Sequence, residues 1–446
     1  MDRISNAGPL PTASLRDTLA ILCQVLAPNI AKGVIIRRPH VVGVAERLSL
    51  DARAVQRMQS LSEKYGRGPL MLKVPMKSMA VVLDPADAND VLEHTPNPFS
   101  PNEQAKHSAL SHFEPGFSLI SEGEAREQRR ALNERVLQSD CPHHDASEAF
   151  VQVVQEEVTA LLERVATRYD ELDWPTFLLT WDRIVRRVVL GDAAADDRVL
   201  TEELTALRKA ANWGFLRPKR QRLRKRFEQR LAYYLREAAP GSLMSALAQQ
   251  CPGREQAPLQ QVPQWLFAFE PAGMATFRAL ALLSAHSDFA AQALAKAQQG
   301  HPLDDFKATL LEALRLWPTT SLLLRQTTQP TQWQAGTMPA NTSVLIHAPY
   351  FHRDERYLHA AHRFTPELWL TPEGHSHTQT PWPLVPFSGG PGICPGRHVV
   401  LLVTSHCLAA LLGQARIELH PPEKLSAEAP MPGLLSPFHL RFRVHR

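Results

Sequence analysis

Phe387-Ser388-Gly389-Gly390-Pro391-Gly392-Ile393-Cys394-Pro395-Gly396 runs directly into the apolar stretch 399–412. Its glycines and prolines bar regular structure, and the apolar stretch predicts a helix, so Cys394 stands where a loop turns into a helix. There a thiolate is favoured by unpaired backbone N–H groups and the positive end of the helix dipole, which makes the sulfur a good metal ligand. Glycines on both sides let the backbone pass close to a flat macrocycle and leave N–H groups for the sulfur. Phe387 would shield that face from water. The plain alternative is a turn ahead of a helix with an incidental buried cysteine.

Around this loop the chain reads as ordinary globular protein. Its 446 residues, 44% apolar and 21% charged, lie far from disordered composition and exceed the size at which a single core usually stops growing. That length implies two modest domains or one large fold organised by a cofactor. Without repeats, linkers or low-complexity tracts, a single domain over 1–446 is expected. A net charge of +4 excludes a global nucleic-acid footprint, and no nucleic-acid partner is expected. Five scattered cysteines, an odd number, argue against a disulfide framework and for a reducing compartment. The apolar run 19–36 is interrupted by Gln24, Asn29 and Lys32, so no transmembrane segment is expected and the chain is placed in the cytoplasm.

Helical periodicity marks 45–64, 146–166, 222–237 and 264–285, while β-rich runs appear only at 70–74, 80–83 and 343–346. The expected class is mainly α with a small β-sheet region, much of it within about residues 1–100. Prolines and glycines cluster in 366–395, a long irregular segment of the kind that is usually functional. Arg217-Pro-Lys-Arg-Gln-Arg-Leu-Arg-Lys-Arg226 opens a helix with Phe227, Leu231, Tyr234 and Leu235 on its apolar face. This charge run is either a solvated face or a docking surface for an acidic electron-transfer partner or an anionic membrane.

The spacing Phe387-x-x-Gly390-x-x-x-Cys394-x-Gly396 resembles the haem-binding signature of the cytochrome P450 superfamily, and further landmarks follow in family order. The resemblance implies the P450 fold, with haem b between a long central helix and the Cys394 loop. Glu312 and Arg315, three apart on one helical face, can pair. With the later His362-Arg363-Phe364 they resemble the family's buried triad, which implies that Glu312, Arg315 and Arg363 hold the cysteine loop. Arg126 and Arg130, four apart, and Arg325 match family arginines that meet the haem propionates. Gly392 departs from the pattern, since many bacterial relatives carry Arg or His there, and His398 or a main-chain donor is the expected replacement.

Ala272-Gly273-Met274-Ala275-Thr276 resembles the family segment on the oxygen side of the haem. Thr276 keeps the hydroxyl, Ala275 replaces the acid, and Gly273 implies close passage of the helix backbone past the haem. The residues alone leave a second account of Thr276, a hydroxyl bonded to the Ala272 carbonyl. Glu270 lies about 240° around the helix from Thr276 and substitutes poorly for the acid, although Pro271 should kink the helix between them. Phe269, Ala272, Thr320 and Leu322, with the segments 98–117, 319–323 and 433–438, match cavity-lining positions and suggest an apolar ligand.

What the resemblance implies is a monooxygenase. No Walker loop or GxGxxG motif is present, so electrons would come from a separate donor such as a ferredoxin with its reductase. The missing acid keeps other readings open: a peroxide-using enzyme, a rearrangement enzyme that consumes no dioxygen, or a haem protein that binds or senses without turnover. Cys141, His143 and His144, with His107 and His112, fit no common zinc spacing and read as surface residues.

Overall fold

A computed structural model describes residues 8–167, 170–251, 257–370, 383–422 and 425–445. Its centre is the helix Val262–Ala285, in which every residue from Ala272 to Leu283 is buried. A helix that is apolar all round is stable only when surrounded, and this one packs against Trp174–Leu190, Asp304–Leu316 and Arg397–Gln414. Ser147–Ala166 covers the other side of Arg397–Gln414. Among the described residues one helix, Pro258–Ala285, is long and apolar enough to cross a membrane, and 78% of its apolar window is buried inside the protein.

Three of the four expected helices appear within two residues of their predicted ends, as Ser147–Ala166, Gln221–Arg236 and Val262–Ala285. In Gln221–Arg236 the buried residues are Phe227, Leu231, Tyr234 and Leu235, the face read from the sequence. The fourth, 45–64, is two helices, Pro39–Arg47 and Leu50–Tyr65, because Ser49 takes a left-handed conformation (φ 50°) that no helix continues through.

The strands, in chain order, are β1 (Leu70–Met71), β2 (Met79–Val81), β3 (Phe99–Ser100), β4 (Glu171–Asp173), β5 (Leu322–Thr327), β6 (Thr331–Trp333), β7 (Gly336–Met338), β8 (Ser343–His347), β9 (Arg416–His420) and β10 (Arg441–His445). The main sheet has the order β1-β2-β8-β5-β3. It is less N-terminal than expected: β1, β2 and β3 are two or three residues long, while the longer β5 and β8 pair antiparallel, with Leu324 opposite Leu345. β2 adds to β8 in parallel, joining segments some 260 residues apart. A second sheet, β4-β10-β9, ties the C-terminal strand to the start of Trp174–Leu190, and β6 and β7 form a hairpin. Of the irregular segment 366–395, residues 371–382 lie outside the described residues.

Candidate active site

Cys394 is delivered by a tight loop that is bonded within itself and pinned by neighbouring elements. The Cys394 N–H donates to Phe387 O (2.9 Å), Ile393 N–H to Gly390 O (3.0 Å) and Ser388 N–H to Val385 O (3.1 Å). The loop's entry is pinned from outside, where the Val385 N–H donates to His352 Nε2 at 2.9 Å. Gly390 adopts φ +56°, and a Cβ there would stand 2.3 Å from the Leu92 carbonyl oxygen. Gly390 therefore serves close packing against helix Pro85–Glu93 and does not line the cavity, a correction to its expected place against the cofactor. Cys394 itself precedes the helix cap Gly396 by two residues. Burial pushes its thiol up, against the opposing pull of the Gly396 N–H, Arg130 and Arg397. Desolvation thus outweighs the pull of the helix terminus and the two arginines.

Above the sulfur lies a cavity of roughly 340 Å³. Phe387, Gly392, Cys394 and Gly396 line one side; Phe269, Ala272 and Ala275 of the central helix line another, with Thr320 and Leu322 between them. One part of the wall is strongly cationic, formed by Lys106, Arg126, Arg130 and Arg325, and no carboxylate lines the cavity among the described residues. Arg325 is buried and donates from Nε to Thr95 Oγ1 (2.9 Å) and from Nη2 to Ser388 Oγ (3.3 Å). Arg130 Nη2 donates to the carbonyl of Ile393 (2.8 Å), directly before the cysteine. Arg126 is buried, with an Nε that has no partner among the described residues. Burial pushes Lys106 down to about 7, its Nζ held by the carbonyls of Pro101 (2.7 Å) and Leu324 (2.9 Å). Arg130 is also paired through its Nε with Glu134, whereas the buried Arg126 and Arg325 have no ion pair among the described residues; buried cations without a counter-charge are costly and call for an anionic guest. A flat apolar macrocycle carrying two carboxylates fits this wall, with the sulfur of Cys394 for its metal.

Glu312 and Arg315 form a buried bidentate pair, Nε to Oε2 and Nη2 to Oε1, each at 2.7 Å. Arg315 also donates to the carbonyls of His352, Ala361 and Arg363, and Glu312 accepts from Thr365 N (2.7 Å) and Trp369 Nε1 (2.9 Å). Arg363 therefore joins through its carbonyl while its side chain is exposed, a correction to the expected triad of side chains. The indole of Trp369 occupies the carboxylate edge that a third arginine would need. Sequence reading missed Trp369, and it placed Lys106 only as part of the 98–117 wall; the role of Lys106 exists only once that segment meets β5, where its Nζ reaches the Leu324 carbonyl.

Further placements differ from expectation. His398 does not line the cavity: Val399 and Val400 take those positions, and His398 lies among Arg397, Lys307, Asp140 and His143. Gly273 faces away from the cavity, where a Cβ would stand 2.6 Å from Trp181 Nε1; the indole needs that space to donate to the Phe269 carbonyl at 2.6 Å. Thr276 is fully buried, off the cavity wall, and donates to Ala272 O at 2.9 Å, the plainer of its two accounts. Ala275 does line the cavity. Glu270 is paired with Arg208 and is not on the wall, and the helix continues through Pro271. The segments 98–117 and 319–323 contribute lining residues, whereas 433–438 borders a separate pocket of roughly 30 Å³ beside Arg37 and Arg278. His112 and His144 are buried, not surface residues, and no group of three or more metal-ligating side chains occurs among the described residues.

The Cytochrome P450 family model matches residues 39–180 and 304–438. Cytochrome P450 52A3-B of Candida maltosa is 32% identical over 133 residues, covering 26% of this chain and 25% of that protein. Cyclooctatin synthase of Streptomyces melanosporofaciens is 32% identical over 114 residues, covering 26% and 24%. The matched region thus spans about a quarter of the length of these curated relatives. Among solved structures, retinoic acid-bound cyanobacterial CYP120A1 superposes with a TM-score of 0.67 at 20% identity, over 87% of this chain and 93% of that one. A zebra fish cytochrome P450 with progesterone gives 0.69 at 16% identity, over 88% and 99%. At such identities the likeness is one of fold.

Proposed function

This chain belongs to the cytochrome P450 family, and we propose that it is a haem-thiolate monooxygenase that oxidises an apolar small molecule with dioxygen and electrons from a separate protein, such as a ferredoxin with its reductase. The observation that carries this reading is a single apolar cavity with Cys394 on one wall and four cations and no carboxylate elsewhere on its described surface. Haem bound there would supply the redox chemistry that inserts one atom of dioxygen into substrate.

The residues would divide the remaining work. Cys394 would bind the iron, Arg126, Arg130, Arg325 and Lys106 would neutralise the propionates, and Phe387 would keep water from the sulfur. Phe269, Ala272, Ala275, Thr320 and Leu322 would enclose and orient the substrate. Protons are the weak point. Ala275 offers none, Thr276 has committed its hydroxyl to Ala272, and Glu270 is held by Arg208, so water or a substrate group must carry them. That same absence favours a second reading, in which hydrogen peroxide supplies oxygen and protons together. Five free cysteines support a reducing, cytoplasmic setting.

The test is the ferrous carbon monoxide spectrum of the wild type and of Cys394→Ser, followed by turnover with ferredoxin and reductase or with peroxide. The thiolate-type band should appear in the wild type and vanish in the variant. An unchanged band in Cys394→Ser would remove the ligand assignment, and turnover with peroxide alone would select the second reading.

A further inference from the structure

The first described helix is turned inside out. It runs as Leu15–Ile21, a wider turn Leu22–Leu26 and Ala27–Lys32. Its inner face buries Ile21 and Val25 beside helix Leu50–Tyr65, and with them three polar side chains. These are Asn29, Asp17, which accepts from Lys64 and Tyr65, and Lys32, paired with Asp51 at 2.6 Å. The outer face carries Leu15, Leu19, Leu22, Leu26 and Ile30, spaced by three or four residues and accompanied by Arg16, Cys23 and Gln24. Leu15, Leu19 and Ile30 are each more than half exposed. A solvated surface helix turns its charges out and its leucines in. Here the outward row of leucines and isoleucine is about 22 Å long at 1.5 Å per residue.

The row does not end with the helix. Val34 is exposed in the bend that follows, and the Asn212 side chain stitches this bend to the turn after helix Arg198–Ala211. Its oxygen accepts from Ile35 N (2.8 Å) and Ile36 N (3.2 Å), and its Nδ2 donates to Ile36 O (2.8 Å). The turn presents Trp213, Phe215 and Leu216, all exposed, with the Arg38 guanidinium over the Trp213 ring at 4.7 Å. Segments 177 residues apart thus form one apolar patch, held in place by the fold. Its charge is of one sign, because neither 18–45 nor 212–227 contains an Asp or Glu. In the basic run Arg224 and Arg226 are paired with Glu228 and Glu203. Arg217, Lys219, Arg220, Arg222 and Lys225 are exposed, with no ion pair among the described residues.

We propose that this patch docks the protein on an anionic lipid bilayer, with the outer face of the first helix and the 212–216 turn in the headgroup region and the cations of 217–225 against lipid phosphates. An acidic protein would answer the cations but leave the leucines in water. A bilayer answers both. The apolar face of an interfacial helix enters the boundary of the acyl chains, tryptophan favours that depth, and each lysine or arginine near an anionic leaflet adds attraction. The helix lies on the membrane and does not span it, because Asp17, Asn29 and Lys32 stay buried in the protein. None of the patch residues lines the cysteine cavity, so the assignment stands apart from the haem-thiolate reading.

The test is co-sedimentation of the purified full chain with vesicles of phosphatidylcholine, alone or mixed with phosphatidylserine. Binding to the mixed vesicles should be at least about tenfold tighter. Leu15→Ser with Leu19→Ser, and separately Phe215→Ser with Leu216→Ser, should each weaken that binding at least about tenfold. Arg217→Gln with Arg220→Gln and Arg222→Gln should remove most of the preference for phosphatidylserine. Trp213 is the exposed tryptophan among the described residues, so lipids brominated near the headgroup should quench the fluorescence of the wild type more than that of Trp213→Phe. The substituted side chains are exposed, and urea midpoints should stay those of wild type; should one serine pair lower the midpoint, the other pair decides. Absence of binding to the mixed vesicles would overturn the proposal. Binding that high salt abolishes and both serine pairs leave intact would overturn it too, since the charge run would then adsorb without the apolar patch. So would capture of an acidic ferredoxin through these residues with no vesicle binding.

Discussion

Gly392 stands so close to Arg325 that a Cβ on it would lie 2.9 Å from an Arg325 terminal nitrogen and 3.2 Å from Thr95 Cγ2. The missing side chain in the cysteine loop thus makes room for a guanidinium arriving from β5. Gly392→Ala should displace Arg325 from its bonds to Thr95 and Ser388, destabilise the protein by about 1–3 kcal/mol, and speed haem loss to apomyoglobin. Unchanged haem transfer would mean that Arg325 does not depend on the gap.

The Glu312–Arg315 pair holds four carbonyls, one backbone N–H and an indole around the entry to the cysteine loop. Glu312→Leu leaves Arg315 buried and unpaired and should cost about 3–5 kcal/mol in urea unfolding. Arg363→Ala, which removes only an exposed side chain, should stay within about 0.5 kcal/mol of wild type. A large loss in Arg363→Ala would restore that arginine to the triad.

Gly273 admits the Trp181 indole. Gly273→Ala should therefore be destabilising by about 1–3 kcal/mol through overpacking. Thr276→Val should leave ligand spin-shift titrations within about twofold, since the hydroxyl is bonded to Ala272 and does not line the cavity. A ligand-binding loss in Thr276→Val larger than that in Gly273→Ala would reverse the two roles.

Burial pushes His347 down to about 4 and His352 to about 3, both below the ordinary 6.5. Between those values and 6.5 the unfolded chain binds more protons than the folded one, so stability should fall as pH drops from about 6.5 toward 4. His352 accepts the Val385 N–H and has its other ring nitrogen against the Arg315 carbonyl, so protonation removes an anchor of the cysteine loop. Thermal unfolding between pH 7 and 4 should show this decline. His347→Leu, at a ring whose nitrogens have no partner among the described residues, should flatten part of it; a pH profile identical to wild type would assign the decline elsewhere.

Polarity and spacing made the local features legible. The helix faces at Phe227, Leu231, Tyr234 and Leu235, the central helix and the pairing of Glu312 with Arg315 all follow from 3.6-residue periodicity, which acts within a few residues. The break at Ser49 was not legible, because one left-handed residue leaves no trace in a hydrophobic pattern. Nor was the main sheet's extent, since β5 and β8 pair with strands more than 200 residues away.

What the sequence by itself determined is a mainly helical fold organised around the loop carrying Cys394, because loop composition, helix periodicity and the order of the motifs are properties of the chain. Only the tertiary structure decided which side of each element faces the cavity. It turned Gly273 to Trp181, Gly390 to Leu92 and His398 away from the wall, sent Arg363 to solvent, and brought Lys106 in. A motif names residues along one line, whereas a cavity is made by side chains converging from several elements, and the rotation of each helix about its axis is settled by packing with its neighbours.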